Sequence, residues 1–368
     1  MLLSTALDAL HEKVQELGKR KFWLLLLLLF IIVVLINGVG IVPEEPYQRL
    51  SQNPFVTRTD IHFNNYWQES LLLPLLAFYL GMTGTITFNA LVSAVMIGAY
   101  LLFALLIHRH RDSTLALITS TLLITSPLTT VLLSWLGTPD GLTIALTVPF
   151  LFTHSGTLIV FLAFLGAANH PAFIVAVLEI LILRWASQDG IKVKHLIFAA
   201  IGISLGYGTV KLFLYSHNID VVSRFDFMQL KTLGEWVRMN LENLPGTLFS
   251  LFNIHWLILP VCIIMFFNKD RRFFYLLVLM LLLNYGIVFF TLDTTRVFIL
   301  TSWGVLFVCI LHSFKLSSID VDNGAYRRQF LQALMLIAMI SLFTPRYFSW
   351  VGEIHGSPFY NLISQLIQ

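Results

Sequence analysis

From Phe22 to Val42 the chain runs for about 20 residues without a charge, directly behind Lys19, Arg20 and Lys21. A helix of that length crosses a hydrocarbon layer of about 30 Å, and only a helix lets such a segment satisfy its own backbone N–H and C=O groups there. The run is longer than a signal-peptide core, and no A-x-A cleavage site follows it. It is therefore expected to be an uncleaved first span whose basic flank stays in the cytoplasm. Similar runs recur along the 368 residues, of which 57% are hydrophobic and 12% charged. Ordinary soluble domains are about a quarter charged, so the expected fold class is all-α, a polytopic transmembrane helical bundle in one domain. The net charge is only +3, and the basic residues fall in short clusters between apolar runs, a sign of membrane topology rather than of nucleic acid as partner. Cys262 and Cys309 lie inside apolar segments as small hydrophobes and carry no redox or metal signal.

Residues 1–21 read as a cytoplasmic amphipathic N-terminus, with helical spacing over 4–18; a solvated tail is the plainer alternative there. The transmembrane domain is expected over 22–345, with outer loops at 43–83 and 215–248 and an extracytoplasmic tail at 346–368. The segment Leu71–Leu80 is apolar but only about 10 residues long and holds Pro74, so it suits an interfacial juxtamembrane helix better than a crossing. Spans are expected near 22–42, 84–107, 113–136, 141–154, 156–168, 171–186, 196–214, 249–267, 273–290, 297–314 and 329–345. With the N-terminus inside and the C-terminus outside, this layout of about eleven spans places 15 of the 23 Lys and Arg residues in inner segments, as short cytoplasmic loops require. Counting Leu71–Leu80 as a crossing would turn the later clusters outward.

Polar groups at membrane depth are expensive and usually face a cavity or mark function. On the outer side the layout gathers Glu44, Glu45, Arg58, Asp60, His62 and Glu69 from the first loop. Three short turns add Asp140 in GTPDG, His170 in ANHPA, and Asp293 with Arg296 in TLDTTR. Each has a plain reading: Asp140 as a helix cap, His170 as a capped helix start, Asp293 and Arg296 as a salt-bridged turn, Glu44 and Glu45 as solvated charges. Mid-span Glu179 could be a neutral carboxyl paired across helices. Their shared side of the membrane is what favours a site.

The order of motifs resembles the GT-C superfamily of polytopic glycosyltransferases, which includes protein O-mannosyltransferases and lipid A aminoarabinose transferases. Glu44, Glu45 and Tyr47 stand where that family has an acidic motif after span one. Pro74 follows in a juxtamembrane helix, Arg109 and Arg111 in a basic turn, and Ser126–Pro127 near the end of span three. ANHPAFIVAVLEILIL is similar to the family's Lys-Gly-Pro turn, with His170 in the place of a cation, and TLDTTRVFILTSWGVLF to its late Arg-Tyr turn, with Arg296 and Phe298. The chain departs in having Glu for the leading Asp, in a spacing to Tyr47 one residue shorter, and in lacking the large soluble C-terminal domain of several relatives.

The resemblance implies a bacterial plasma (inner) membrane enzyme that moves a sugar from a polyprenyl-phosphate donor to a glycan, lipid or protein acceptor at the extracytoplasmic face. An acceptor hydroxyl needs a general base, for which Glu45 leads, with Glu44 and Asp60 behind it. The lipid phosphate leaves as an anion and needs cations rather than an acid, which points to Arg296 and His170, with Arg58 assisting. His62, Asp140 and Asp293 complete the substrate-binding set. No cofactor is implied; two outer carboxylates could hold a divalent ion, although carboxylates alone do not distinguish that from metal-free catalysis. The competing classes are a non-enzymatic transporter, flippase or assembly protein for lipid-linked glycans, and a lipid-using ligase or polymerase. Transporters often carry internal repeats and mid-depth polar groups, whereas this chain has no convincing repeat.

Overall fold

A computed structural model of the chain describes residues 2–40, 46–59, 66–222, 229, 231–317 and 324–358. The first helix, α1 (Leu2–Asn37), joins the amphipathic N-terminus to the first apolar run, with non-helical backbone at Lys21 (φ −133°) marking the junction between the two. Short helices α2 (Pro46–Gln52) and α3 (Leu72–Tyr79) follow in the first loop. At 8 residues, α3 is about 12 Å long and does not cross a bilayer. Lys211 reaches Glu69 at 2.7 Å and fastens this loop to the bundle.

Then come α4 (Thr85–His110), α5 (Ser113–Thr125) and α6 (Pro127–Ser134). Pro127 lacks the N–H that would continue the ladder, and α5 and α6 meet at a 44° bend. Next in order are α7 (Asp140–Thr147), α8 (Gly156–Asn169), α9 (Ala172–Ala186) and α10 (Val193–Ser216). Thr232 and Glu235 form a capping box that starts α11 (Leu233–Glu242) in the second loop. The remaining helices are α12 (Leu244–Phe252), α13 (Ile258–Phe266), α14 (Arg271–Val288), α15 (Thr294–Leu316) and α16 (Gly324–Phe343). An antiparallel hairpin of β1 (Tyr347–Trp350) and β2 (Glu353–Gly356) closes the described chain, inside a stretch that the sequence reads only as a tail.

The fold is all-α apart from that hairpin. Among the described residues, six helical stretches are long and apolar enough to cross a membrane, and the bent α5–α6 pair makes a seventh, fewer than the eleven expected. The difference lies with α7, α8, α9 and α16. Even α9, with 15 residues, reaches only about 22 Å against a layer of about 30 Å, and α16 begins with Arg327 and Arg328.

The basic clusters share one end of the bundle. Arg327 pairs with Asp112 at 2.7 Å and Arg328 with Asp8 at 2.8 Å, joining the starts of α16, α5 and α1. Mid-helix Glu179 accepts from Asn284 at 2.8 Å, the cross-helix pairing expected of it. Most central is α15, 94% of whose apolar window is buried, so groups at its ends are held by neighbours on every side.

Close helix contact needs small residues. Gly202 and Gly206 on α10 lie against α8, where a Cβ at Gly202 would sit 2.7 Å from the Ala163 methyl and still closer to the Val160 carbonyl. Gly202→Leu should therefore cost about 1–3 kcal/mol through overpacking, read as a lower midpoint in thermal unfolding in detergent. An unchanged midpoint would mean that the two helices separate at no cost.

Candidate functional site

The site is built at the first turn of α15. A cation there faces the positive end of the helix dipole, so Arg296 needs anionic company. It has two carboxylates. Its Nε donates to Asp140 Oδ2 at 2.6 Å and its Nη2 to Asp140 Oδ1 at 3.1 Å, a bidentate pair across 156 residues of sequence. Its Nη1 donates to Asp293 Oδ2 at 3.1 Å. Asp140 is wholly buried, while Arg296 keeps 14% and Asp293 31% of side-chain exposure.

This geometry decides between the cap and the ion-pair readings of Asp140. Pro139 occupies the cap position of α7 with no side-chain bond, and Asp140 is the first helical residue, its carboxylate turned to Arg296. Asp293 likewise stands at the cap position of α15 without capping it. The salt-bridged turn is present but is only half of the arrangement.

His170 is both a cap and a neighbour. Its Nδ1 accepts the Ala172 N–H at 3.2 Å, starting α9, which leaves the proton of the neutral ring on Nε2. The ring is within electrostatic reach of Asp140. Asn169, one residue earlier, donates to the Pro139 carbonyl at 3.1 Å and to Thr143 at 3.0 Å, tying the end of α8 to the start of α7. Tyr47, buried in α2, lies within electrostatic reach of Arg296. Trp350 of β1 lies within electrostatic reach of the Asp293 carboxylate and Thr138 within that of Asp140, and the Val351 N–H donates to the Leu292 carbonyl at 2.7 Å. Thr138 and Trp350 are neighbours that sequence reasoning missed. The Thr138 signal was its place in GTPDG, two residues before Asp140, whereas nothing local points from Trp350 to Asp293.

Of the expected residues, Asp140, His170, Asp293 and Arg296 meet. Arg58 is engaged elsewhere: its Nη1 donates to the Arg49 carbonyl at 3.0 Å and its N–H to Gln68 Oε1 at 3.0 Å, so it braces the first loop. Glu44, Glu45, Asp60 and His62 lie outside the described residues. Among the described residues no three His, Cys, Asp or Glu side chains stand together as a metal site.

With both acids ionised the Arg296 cluster carries a net −1. Burial raises the Asp293 carboxyl above its ordinary value of 3.8; Arg296 opposes the shift and the Asp140 carboxylate adds to it. A carboxyl raised in the folded state contributes stability that is complete below the unfolded value and lost as pH climbs through the folded one. Acidification from neutrality towards pH 3.8 is thus expected to stabilise the protein through this group. Asp293→Asn should flatten that part of the midpoint-against-pH curve, and parallel curves for the two proteins would refute the assignment.

Compared with protein-family models, curated proteins and solved structures, the chain matches none.

Proposed function

We propose that this protein is a GT-C-type membrane glycosyltransferase, taking a sugar from a polyprenyl-phosphate donor and passing it to an acceptor at the extracytoplasmic face. The observation that carries this reading is the meeting of Asp140, His170, Asp293 and Arg296, from three separate turns, at the start of the central helix. Carboxylates that share a guanidinium can accept from sugar hydroxyls, and the free N–H groups of that guanidinium can donate to a departing phosphate. Glu45 immediately precedes Pro46 and Tyr47 in sequence and serves as base, with Glu44 and Asp60 as alternates and His62 as a polar partner. A divalent ion on the outer carboxylates remains compatible with this chemistry.

The layout that goes with it lies in a bacterial inner membrane, N-terminus cytoplasmic and C-terminus outside. Ser216 and Asn268 are exposed at opposite ends of the bundle, and both native cysteines are buried. With an impermeant maleimide, Ser216→Cys should label on intact cells and Asn268→Cys only after permeabilisation. The reverse pattern would invert the orientation.

Enzymatic function is tested in liposomes holding a polyprenyl-phosphate sugar. Transfer to an envelope extract, or hydrolysis, must release free polyprenyl phosphate. No release above protein-free liposomes would leave the assembly-protein reading, which is favoured by one feature of the site: Arg296 is already matched by two carboxylates.

A further inference from the structure

The most unusual cation in the described chain is Arg346, between α16 and β1. It is 4% exposed, and its Nε, Nη1 and Nη2 atoms have no hydrogen-bond partner. A guanidinium presents five donors, and leaving them unmet in a dry setting costs several kcal/mol unless an anion takes them. Arg296, by contrast, has two carboxylates. The groups within electrostatic reach of Arg346 are the Tyr100 hydroxyl of α4 and the His255 ring; neither is an anion, and the hydroxyl and the ring Nε2 are bonded elsewhere. Tyr100 bonds Thr129 at 2.6 Å, and His255 Nε2 bonds the Leu122 carbonyl at 2.9 Å. Burial pulls Arg346 down to about 10, with Tyr100 opposing, so it is cationic at neutral pH.

Tyr100 is also the wall of an apolar groove. Trp23, Leu27 and Phe30 of α1, Leu101 of α4 and Leu123 of α5 line it, and Trp23, Leu27 and Leu101 are among the exposed apolar side chains of the bundle flank. The enclosed part holds about 90 Å³, enough for a short length of acyl or prenyl chain, so the remainder of such a chain would stay in the bilayer. Tyr100 thus lines a groove for hydrocarbon and lies within electrostatic reach of an unmatched guanidinium, the two halves of an anionic lipid's site. Phosphate suits the second half, because its oxygens take paired N–H bonds from a planar guanidinium.

We propose that Arg346 and this groove form a binding site for a phosphate-bearing membrane lipid, with the head on the guanidinium and the chain against Tyr100. The site is separate from the Arg296 cluster: Trp350 stands four positions along the strand from Arg346, roughly 13 Å away. It stands whether or not the protein transfers sugar.

The test uses the full chain in detergent and native mass spectrometry. Four probes are added in turn: phosphatidylglycerol, a long polyprenyl monophosphate, the polyprenol of the same length, and inorganic phosphate. Wild type should retain at least one of the two phosphate lipids at least tenfold more than the alcohol, and which of the two it prefers identifies the source. Arg346→Gln should lose that lipid at least tenfold, and so should Leu101→Trp, which fills the groove but keeps the cation. Should Arg346→Gln fail to fold, the groove variant decides alone. Equal retention of alcohol and phosphate lipid, undiminished retention by either folded variant, or binding of inorganic phosphate as tight as that of the lipid would each overturn the proposal.

Discussion

Asp140→Ala is expected to cost about 3–5 kcal/mol of folding stability, the largest single loss that the Arg296 cluster can produce. The removed carboxylate is wholly buried and meets two guanidinium nitrogens at 2.6 and 3.1 Å, so alanine leaves a cation at 14% exposure with only Asp293 beside it. The cost comes from the charge left behind more than from the bond itself. Hence Asp140→Leu combined with Arg296→Met should recover most of the loss, because well-packed apolar pairs often equal or exceed a buried ion pair in stability. Denaturation of the purified protein in mixed micelles measures both. A double variant as unstable as the single one would mean that the Asp293 carboxylate, left without its guanidinium, costs as much as the orphaned cation does. The pair also separates fold from chemistry, since a recovered fold that releases no polyprenyl phosphate assigns the ions to the reaction.

How much of this was legible beforehand follows from the range of each interaction. Helices were legible where leucine, isoleucine and phenylalanine run together, and the bend of the third expected span is written in Pro127. Asp293 and Arg296 are three residues apart, so their pairing is a local fact. Asp140 and Arg296 are 156 residues apart, and only their expected side of the membrane brought them together. His170 lies within electrostatic reach of Asp140 while Arg58 is bonded inside the first loop, because an expected side gives depth along the bundle axis but no position around it. The same limit hid the β1–β2 hairpin, whose four-residue strands are too short to show alternation among aromatics. It hid Arg346 as well. A lone arginine just beyond the last apolar run carries no local sign that it will be buried.

Glu45→Gln is expected to lower the release of polyprenyl phosphate by about 10²–10⁴-fold while leaving the fold intact. The amide keeps the shape and the hydrogen-bond acceptor but cannot take the proton that an acceptor hydroxyl must lose as it attacks the anomeric carbon. Glu45 leads because it is joined through Pro46 to Tyr47, whose ring lies within electrostatic reach of Arg296. Glu44 is one residue further from Tyr47, and Asp60 lies near the middle of the first loop. The three candidates give different results. If Asp60→Asn causes the loss and Glu45→Gln does not, the base is contributed by the middle of the loop and the resemblance at Glu44, Glu45 and Tyr47 carries no catalytic meaning. If none of the three amide variants slows release by even tenfold, proton transfer by the first loop is not part of the reaction. The carboxylates on Arg296 would then be the remaining acids at that face, and Asp293 is the better placed of the two, being 31% exposed where Asp140 is sealed.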